Sequence, residues 1–184
     1  EQLSDYLKKE KDDSDSLGKI TSDKIKSLER EIKSLNEKPI IVSAFTDNEN
    51  IKKLNKQLEQ INIKLILKNK SKNEIRDKTF KDFKIRFQLV KGFPSKELRS
   101  LIDQGKKDLN KGIVVAYTIV DEKVGIAVGI TNDLTKKYNA VELVKLGSKV
   151  IGGTGGGGRN DFAQAGGNLP EKIEQSFQNI LENI

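Results

Sequence analysis

The sequence predicts an α+β to α/β chain: a coiled-coil-like helical hairpin over residues 1–78, then a small mixed-sheet α/β domain over 79–184. Three observations lead there. From residue 25 to 65 apolar side chains recur at every third and fourth position, the period of a helix with one buried stripe. Beyond residue 80 stretches of period two alternate with helical stretches, the order of a layered α/β domain. Between the two lies 69–78, almost free of apolar residues, which reads as a polar linker and sets the domain boundary.

Taken in order, residues 1–18 are polar, and only Leu3, Tyr6 and Leu7 offer a short apolar stripe. Asp12-Asp13-Ser14-Asp15-Ser16 is expected to interrupt a helix, because these side chains compete for backbone hydrogen bonds. A regular helix is expected from an N-cap at Ser22, with Ile25, Leu28, Ile32 and Leu35 inward and Pro39 as its stop. Thr46-Asp47-Asn48-Glu49 is a capping-box sequence, and Ile51, Leu54, Leu58, Ile61 and Leu65 continue as a second stripe. Two matching stripes with a short Pro-containing link suggest an antiparallel hairpin. Ile40, Ile41, Val42 and Phe45 are then apolar enough to pack at its tip or against a part of the longer protein outside this piece.

In the second half Phe83, Ile85, Phe87 and Leu89 alternate with polar residues as a half-buried strand. Pro94-Ser95 introduces a helix with Leu98, Leu101 and Ile102 inward. Residues 113–120 form an apolar run suited to a strand buried on both faces. After a turn at Asp121-Glu122-Lys123, Val124, Ile126, Val128 and Ile130 alternate with Gly125, Ala127 and Gly129. That strand has one face of large residues and one nearly bare, which lets a neighbouring element approach closely. A helix follows over 140–151, and Pro170 opens a last one with Ile173, Phe177, Ile180 and Leu181 inward. The expected order is strand, helix, strand, strand, helix, loop, helix, with a parallel crossover first and an antiparallel hairpin second.

Composition excludes several chemistries. There is no Cys and no His, so disulfides, thiolate metal sites and the usual neutral-pH general base are absent from this chain. No apolar run reaches the roughly 20 residues of a membrane helix, and the expectation is a cytoplasmic protein without membrane contact. The chain begins Glu1-Gln2-Leu3, without Met, and is expected to be a piece of a longer protein. Its net charge of +7 favours a polyanionic partner, although Lys-rich composition accounts for it equally well. The charge is spread over both halves, so neither is a basic tail.

Eight of the 15 glycines fall within residues 152–167, the stretch Gly-Gly-Thr-Gly-Gly-Gly-Gly-Arg-Asn-Asp-Phe-Ala-Gln-Ala-Gly-Gly. Such a run brings bare backbone N–H groups to a surface, and Arg159 adds a planar, permanently charged donor set. On glycine content alone a flexible surface loop fits as well. As a nucleotide fingerprint the run is weak, since it follows a helix rather than a strand and no Walker lysine comes after it.

This stretch resembles the terminal signature of the alanyl-tRNA synthetase family: a glycine cluster ending in Arg, then Asp, then Ala-Gln-Ala-Gly-Gly. Residues 103–107, the strand ending at Thr131, and Asp133 with Leu134-Thr135 are also similar to that family, as is the charged heptad helix over 25–35. The resemblance is specific over 80–167 and compositional over 1–78. It implies a C-terminal region of an alanine–tRNA ligase, built of a helical part tied to dimerisation and a globular domain of the kind found beside DHH phosphoesterases. It implies binding to the outer corner of tRNA, tRNA-Ala in particular, in support of aminoacylation and editing, with no catalytic residue, cofactor or metal in this piece. Related phosphoesterases carry His directly after the glycine cluster. Here Arg159 stands there, which separates the binding version from the hydrolytic one.

Within that resemblance Arg159 is the leading candidate for a direct RNA contact, with Gly155, Gly156, Gly157 and Gly158 giving backbone access. Lys136, Lys137, Lys145 and Lys149 form a candidate basic rim, for which plain solvation is as good an account. Asp161, Gln164, Gly166 and Gly167 are expected to shape the loop. Two alternatives stay open: a dimerisation or structural domain of the same enzyme, forming a homodimer through the helical arm or the globular domain, and a free-standing alanyl-tRNA editing protein as parent.

Overall fold

The computed structural model describes residues 2–43 and 45–184, with side chains from Ser16 onward. It forms two compact units, Glu1–Leu65 and Ile66–Ile184.

The first unit holds α1 (Gln2–Ser34) and α2 (Asp47–Lys68) up to Leu65. The expected break at residues 12–16 does not occur, and Ser22 lies inside α1 rather than capping it. Asp and Ser cost only about 0.5 kcal/mol each relative to good helix formers, too little to stop a helix continued on both sides. The stripe at Leu3, Tyr6 and Leu7 falls outside the described side chains. The end of α1 precedes Pro39. Asn36 adopts a left-handed φ of 59°. Its N–H donates to the Lys33 carbonyl, and that of Glu37 to the Ile32 carbonyl. This 5→2 and 6→1 pair is a Schellman cap. At the start of α2 the capping box is formed. The Thr46 N–H donates to the Glu49 carboxylate at 2.7 Å and the Glu49 N–H to the Thr46 hydroxyl at 3.4 Å. The Thr46 N–H and the Thr46 hydroxyl, which donates to the same carboxylate at 2.8 Å, hold the Glu49 carboxyl below its ordinary range.

Leu28, Ile32, Leu54 and Ile61 make the buried seam of this unit, joined by Ile25, Leu35, Ile51 and Leu58. The two helices run in the same direction, not antiparallel as expected. Gln57 holds Lys38 and Ile40 of the link, and Asn50 holds Val42, so the link travels back along α2. It delivers Asp47 to the level of Thr21, whose hydroxyl lies 3.2 Å from the Asp47 carboxylate. That offset of 26 positions carries Ile25, Leu28, Ile32 and Leu35 onto Ile51, Leu54, Leu58 and Ile61. A dozen residues at about 3.3 Å each span a return of this length easily. Pro39 marks the first part of an extended strap rather than a tight turn, and Ile40, Ile41 and Phe45 stay exposed.

In the second unit a six-stranded sheet has the order β1-β2-β3-β4-β6-β5. Its strands are β1 (Asn73–Phe80), β2 (Phe83–Lys91), β3 (Gly112–Val120), β4 (Lys123–Ile130), β5 (Gly156–Arg159) and β6 (Phe162–Gly167). Three helices complete the fold: α3 (Leu98–Leu109), α4 (Ala140–Val150) and α5 (Ile173–Leu181). β2 and β3 are parallel across α3 and β3–β4 is an antiparallel hairpin, both as expected. Two expectations are corrected. Residues 69–78 are not a linker, because Asn73 onward pairs antiparallel with β2 as a polar edge strand. The glycine stretch is not a loop, because β5 and β6 form an antiparallel hairpin at the opposite edge.

The strands alternate as their period demands. Ile85, Phe87, Ile113, Val115, Tyr117, Ile126, Val128 and Ile130 meet Leu143, Val144, Ile173, Phe177 and Ile180 of α4 and α5 in the main core. The other face carries Gly125, Ala127 and Gly129, and α3 lies directly on it. A methyl group at Gly129 would meet Ile102 at 2.0 Å, and one on Gly105 of α3 would meet Val114 at 2.8 Å.

One polar node ties β1, β2 and α3 together. Arg86, with its side chain 11% exposed, bonds both carboxylate oxygens of Asp77 at 2.8 and 2.9 Å and Asp108 at 2.7 Å. The guanidinium, with Gln104, depresses the Asp108 pKa. A carboxylate with a lowered folded-state pKa stabilises the fold above its unfolded value, near 4, and loses that contribution as pH falls through the folded value. Urea midpoints are therefore expected to drop as pH falls from about 5 to 3, and less steeply in Asp108→Asn. Equal slopes in the two proteins would contradict this account.

Candidate functional site

Strand alternation decides what the glycine hairpin shows to solvent. Gly156 pairs with Ala165 and Gly158 with Ala163, so their Cα positions turn toward α4. A methyl on Gly156 would touch Ala165 at 2.7 Å and Val144 at 3.0 Å, and one on Gly158 would strike the Phe162 carbonyl at 2.3 Å. Gly157 and Arg159 pair with Gln164 and Phe162 and turn the other way, onto the face shared with α3. Nothing lies within 4 Å of a methyl built on Gly155 or Gly157. Of the four glycines expected to give backbone access, two are open and two are packing positions.

Because α3 covers β3 and β4, the same face of β6 and β5 is left open beside it. Arg159 stands there with its side chain 66% exposed, and its Nε is 3.4 Å from the Asp161 carboxylate. Phe162 lies under the Arg99 guanidinium of α3, 5.0 Å from the ring centre, and Arg99 reaches Asp103 one turn on at 3.8 Å. Lys106 donates to the Asp161 carbonyl at 2.9 Å, an oxygen that also accepts from the Ile130 N–H. Burial lowers the Lys106 pKa, offset in part by Asp161 and Asp103. Gln164 donates to the Ser95 carbonyl at 2.9 Å, tying β6 to the entry of α3. Further along the same face, toward Gly166, opens a cleft of about 570 Å³.

Asp161 accepts at its carbonyl from Lys106 and Ile130, and Gln164 is held by Ser95. Gly167 is a packing position, 2.3 Å from the Ile151 carbonyl for an added methyl, whereas Gly166 is exposed. The lysine rim is dispersed. Lys145 and Lys149 project from α4, across the sheet from Arg159. Lys137 sits 5.1 Å over the Tyr138 ring, which packs on Phe83, and Lys136 is exposed in the same segment. Arg99, Lys106 and Phe162 were not singled out from the sequence. Arg99 and Lys106 are a helix and a sheet edge away in the chain, and only the position of α3 brings them here.

The charges largely cancel. Arg159 and the partly buried Lys106 share Asp161, and Arg99 faces Asp103, which leaves one positive charge in excess. The face therefore offers oriented guanidinium planes, an aromatic ring and bare peptide edges more than a strong electrostatic field. Among the described residues no cluster of three or more acidic side chains gathers that could hold a metal ion.

The DHHA1 domain family matches residues 83–184, from β2 to the last residue. The chain belongs to the DHHA1 domain family. Its curated relatives include the alanine–tRNA ligase of Bradyrhizobium diazoefficiens, 35% identical over 169 residues, covering 88% of this chain and 18% of the ligase. That of Parvibaculum lavamentivorans is 51% identical over 92 residues, 50% of this chain and 10% of the ligase. The chain thus spans less than a fifth of these relatives' length. Among solved structures, the C-Ala domain of Aquifex aeolicus alanyl-tRNA synthetase matches with 29% identity and a TM-score of 0.55, covering 58% of this chain and 96% of that one. The family read from the glycine cluster and Arg159 is borne out by these matches.

In this DHHA1 domain Lys106 is the strut of the Asn160-Asp161 turn. Lys106→Met is expected to cost about 1.5–3 kcal/mol, the range for a hydrogen bond from a charged group. It should also speed amide exchange at Ile130 and Phe162 while leaving β1 protected. Unchanged exchange at both amides would remove Lys106 from this role.

Proposed function

We propose that this chain is the C-terminal tRNA-binding module of an alanine–tRNA ligase, holding the outer corner of tRNA-Ala for aminoacylation and editing carried out elsewhere in the enzyme. The observation that carries the reading is the open face of β5–β6, where the exposed Arg159 guanidinium stands beside the bare peptide of Gly157. A peptide edge free of side chains accepts a ribose or phosphate at close range, and a guanidinium with Phe162 and Arg99 beside it suits base edges and stacked rings. The likeness to the C-Ala domain supports the same reading.

Because Arg159 and Arg99 each stand beside a carboxylate, specific contacts should outweigh counterion release. In anisotropy titrations with a tRNA-Ala transcript, Arg159→Ala is expected to weaken binding about tenfold, while the salt slope changes by no more than about 0.9, one phosphate's worth. Arg159→Lys, which keeps charge but not the planar fork, should recover only part of the affinity. A parent chain that ignores tRNA at low salt, or an Arg159→Ala variant that binds as the parent does, defeats the proposal.

A second reading, self-association through the helical unit, is favoured by a separate observation. With α2 starting at the level of Thr21, the preceding part of α1 has no α2 beside it, and Leu17 and Ile20 are 64% and 63% exposed. Sedimentation at high micromolar concentration is expected to show a dimer that Leu17→Glu with Ile20→Lys dissociates. A parent that sediments as a monomer ends this reading.

A further inference from the structure

The open face continues past Gln164. On β4 and β6 the paired positions Gly125 and Gly166 both lack side chains and both point to the α3 side of the sheet. Thr118 continues the row on β3, paired with Gly125. Leu98, the first residue of α3, and Ser95 before it close over Gly125, and Thr118 is buried beside it, but this cover stops short of Gly166, which stays exposed. The result is the cleft of about 570 Å³, within the roughly 300–1,000 Å³ of small-ligand sites. Pro94 and Val120 supply apolar walls and Gly166 a bare peptide floor. Gln164 lines its inner end. The amide nitrogen of Gln164 is taken by the Ser95 carbonyl, which leaves its carbonyl oxygen as an acceptor. At the mouth stand Lys123 and Asp121, both exposed.

We infer that this cleft receives an unstacked nucleobase from the bound RNA, an inference that rests on the RNA-binding reading above. Flat apolar walls and a peptide floor suit a planar ring, Gln164 and Asp121 accept from its amino or imino groups, and Lys123 meets the attached phosphate. The cleft lies on the same strand face as Arg159 and Phe162, at the other end of β6, so one RNA strand can follow that face and place a base in it. Loop and corner nucleotides are the ones whose bases are free to leave the stack. A free nucleotide would present the same chemistry, and the two sources separate in the test.

Gly166 permits a clean probe. A methyl there would meet only the Val124 carbonyl, at 3.5 Å, an ordinary contact, so Gly166→Leu fills the cleft without clashing with the backbone. Parent, Gly166→Leu and Lys123→Gln chains are titrated with a tRNA-Ala transcript and, separately, with AMP, CMP, GMP and UMP, and each chain is checked by thermal unfolding. Gly166→Leu is expected to bind tRNA about tenfold more weakly with its unfolding unchanged, the loss typical of one stacked base. Lys123→Gln should weaken binding and lower the salt slope by about 0.7–0.9. The monophosphates should bind only weakly. If Gly166→Leu binds as the parent does while Arg159→Ala does not, the cleft inference fails and the proposed function stands. If the parent ignores tRNA, both fail together. Tight monophosphate binding abolished by Gly166→Leu, with tRNA affinity unaltered, would make this a free-nucleotide site and overturn the inference. Should Gly166→Leu unfold, Lys123→Gln decides, and an unchanged affinity and slope would overturn it.

Discussion

The close approach of α3 to the side-chain-poor face of β3 and β4 governs most of what the second unit can do. Gly105, Gly125 and Gly129 leave no room for even a methyl group between helix and sheet, so α3 beds directly onto the strands. A helix seated that low covers only the strands beneath it. The adjoining face of β6 and β5 is consequently left to solvent, and the outer edge of α3, with Arg99 and Lys106, comes level with the glycine hairpin. With larger residues on β4 the helix would ride higher, and Lys106 would lose its reach to the Asp161 carbonyl. Dense interiors transmit such shifts rather than absorb them.

The same geometry sets the chemistry of the open face. Three cations converge on it, but two are matched by carboxylates one helical turn or one hairpin turn away. What remains is directional: fixed guanidinium planes, one half-covered aromatic ring and a peptide edge that the absence of side chains exposes. Recognition of a folded RNA by shape, ribose and unstacked bases draws on these features, whereas non-specific attraction to phosphates depends on uncompensated charge. Two of the exposed lysines, Lys145 and Lys149, lie on α4 across the sheet.

In the helical unit the deciding element is the strap between α1 and α2. Asn50 and Gln57 satisfy its backbone groups along the flank of α2, so it returns the chain to the level of Thr21 before α2 begins. The two stripes then meet in register and in the same direction. An antiparallel pair would have buried the same residues with much the same pattern, which is why periodicity alone could not separate the two arrangements.

Much of this was legible in residue order. Period-two alternation located β2 and β4, a continuous apolar run located β3, helical periods located every α-helix of the second unit, and the bare face of β4 announced a close neighbour. The glycine cluster with Arg159 pointed to the family, and Thr46 with Glu49 to the start of α2. Each of these signals is local, carried by side chains within a turn or a strand of one another. What the tertiary structure decided depends on partners distant in the chain. The polar stretch 69–78 becomes a strand only because β2 offers it a ladder, and the glycine run becomes a hairpin only because β4 pairs with β6. The division of Gly155, Gly156, Gly157 and Gly158 into open and packed positions, and the arrival of Arg99, Lys106 and Phe162 beside Arg159, follow from strand register and helix seating. Register is a relation between strands, and no single stretch of sequence contains it.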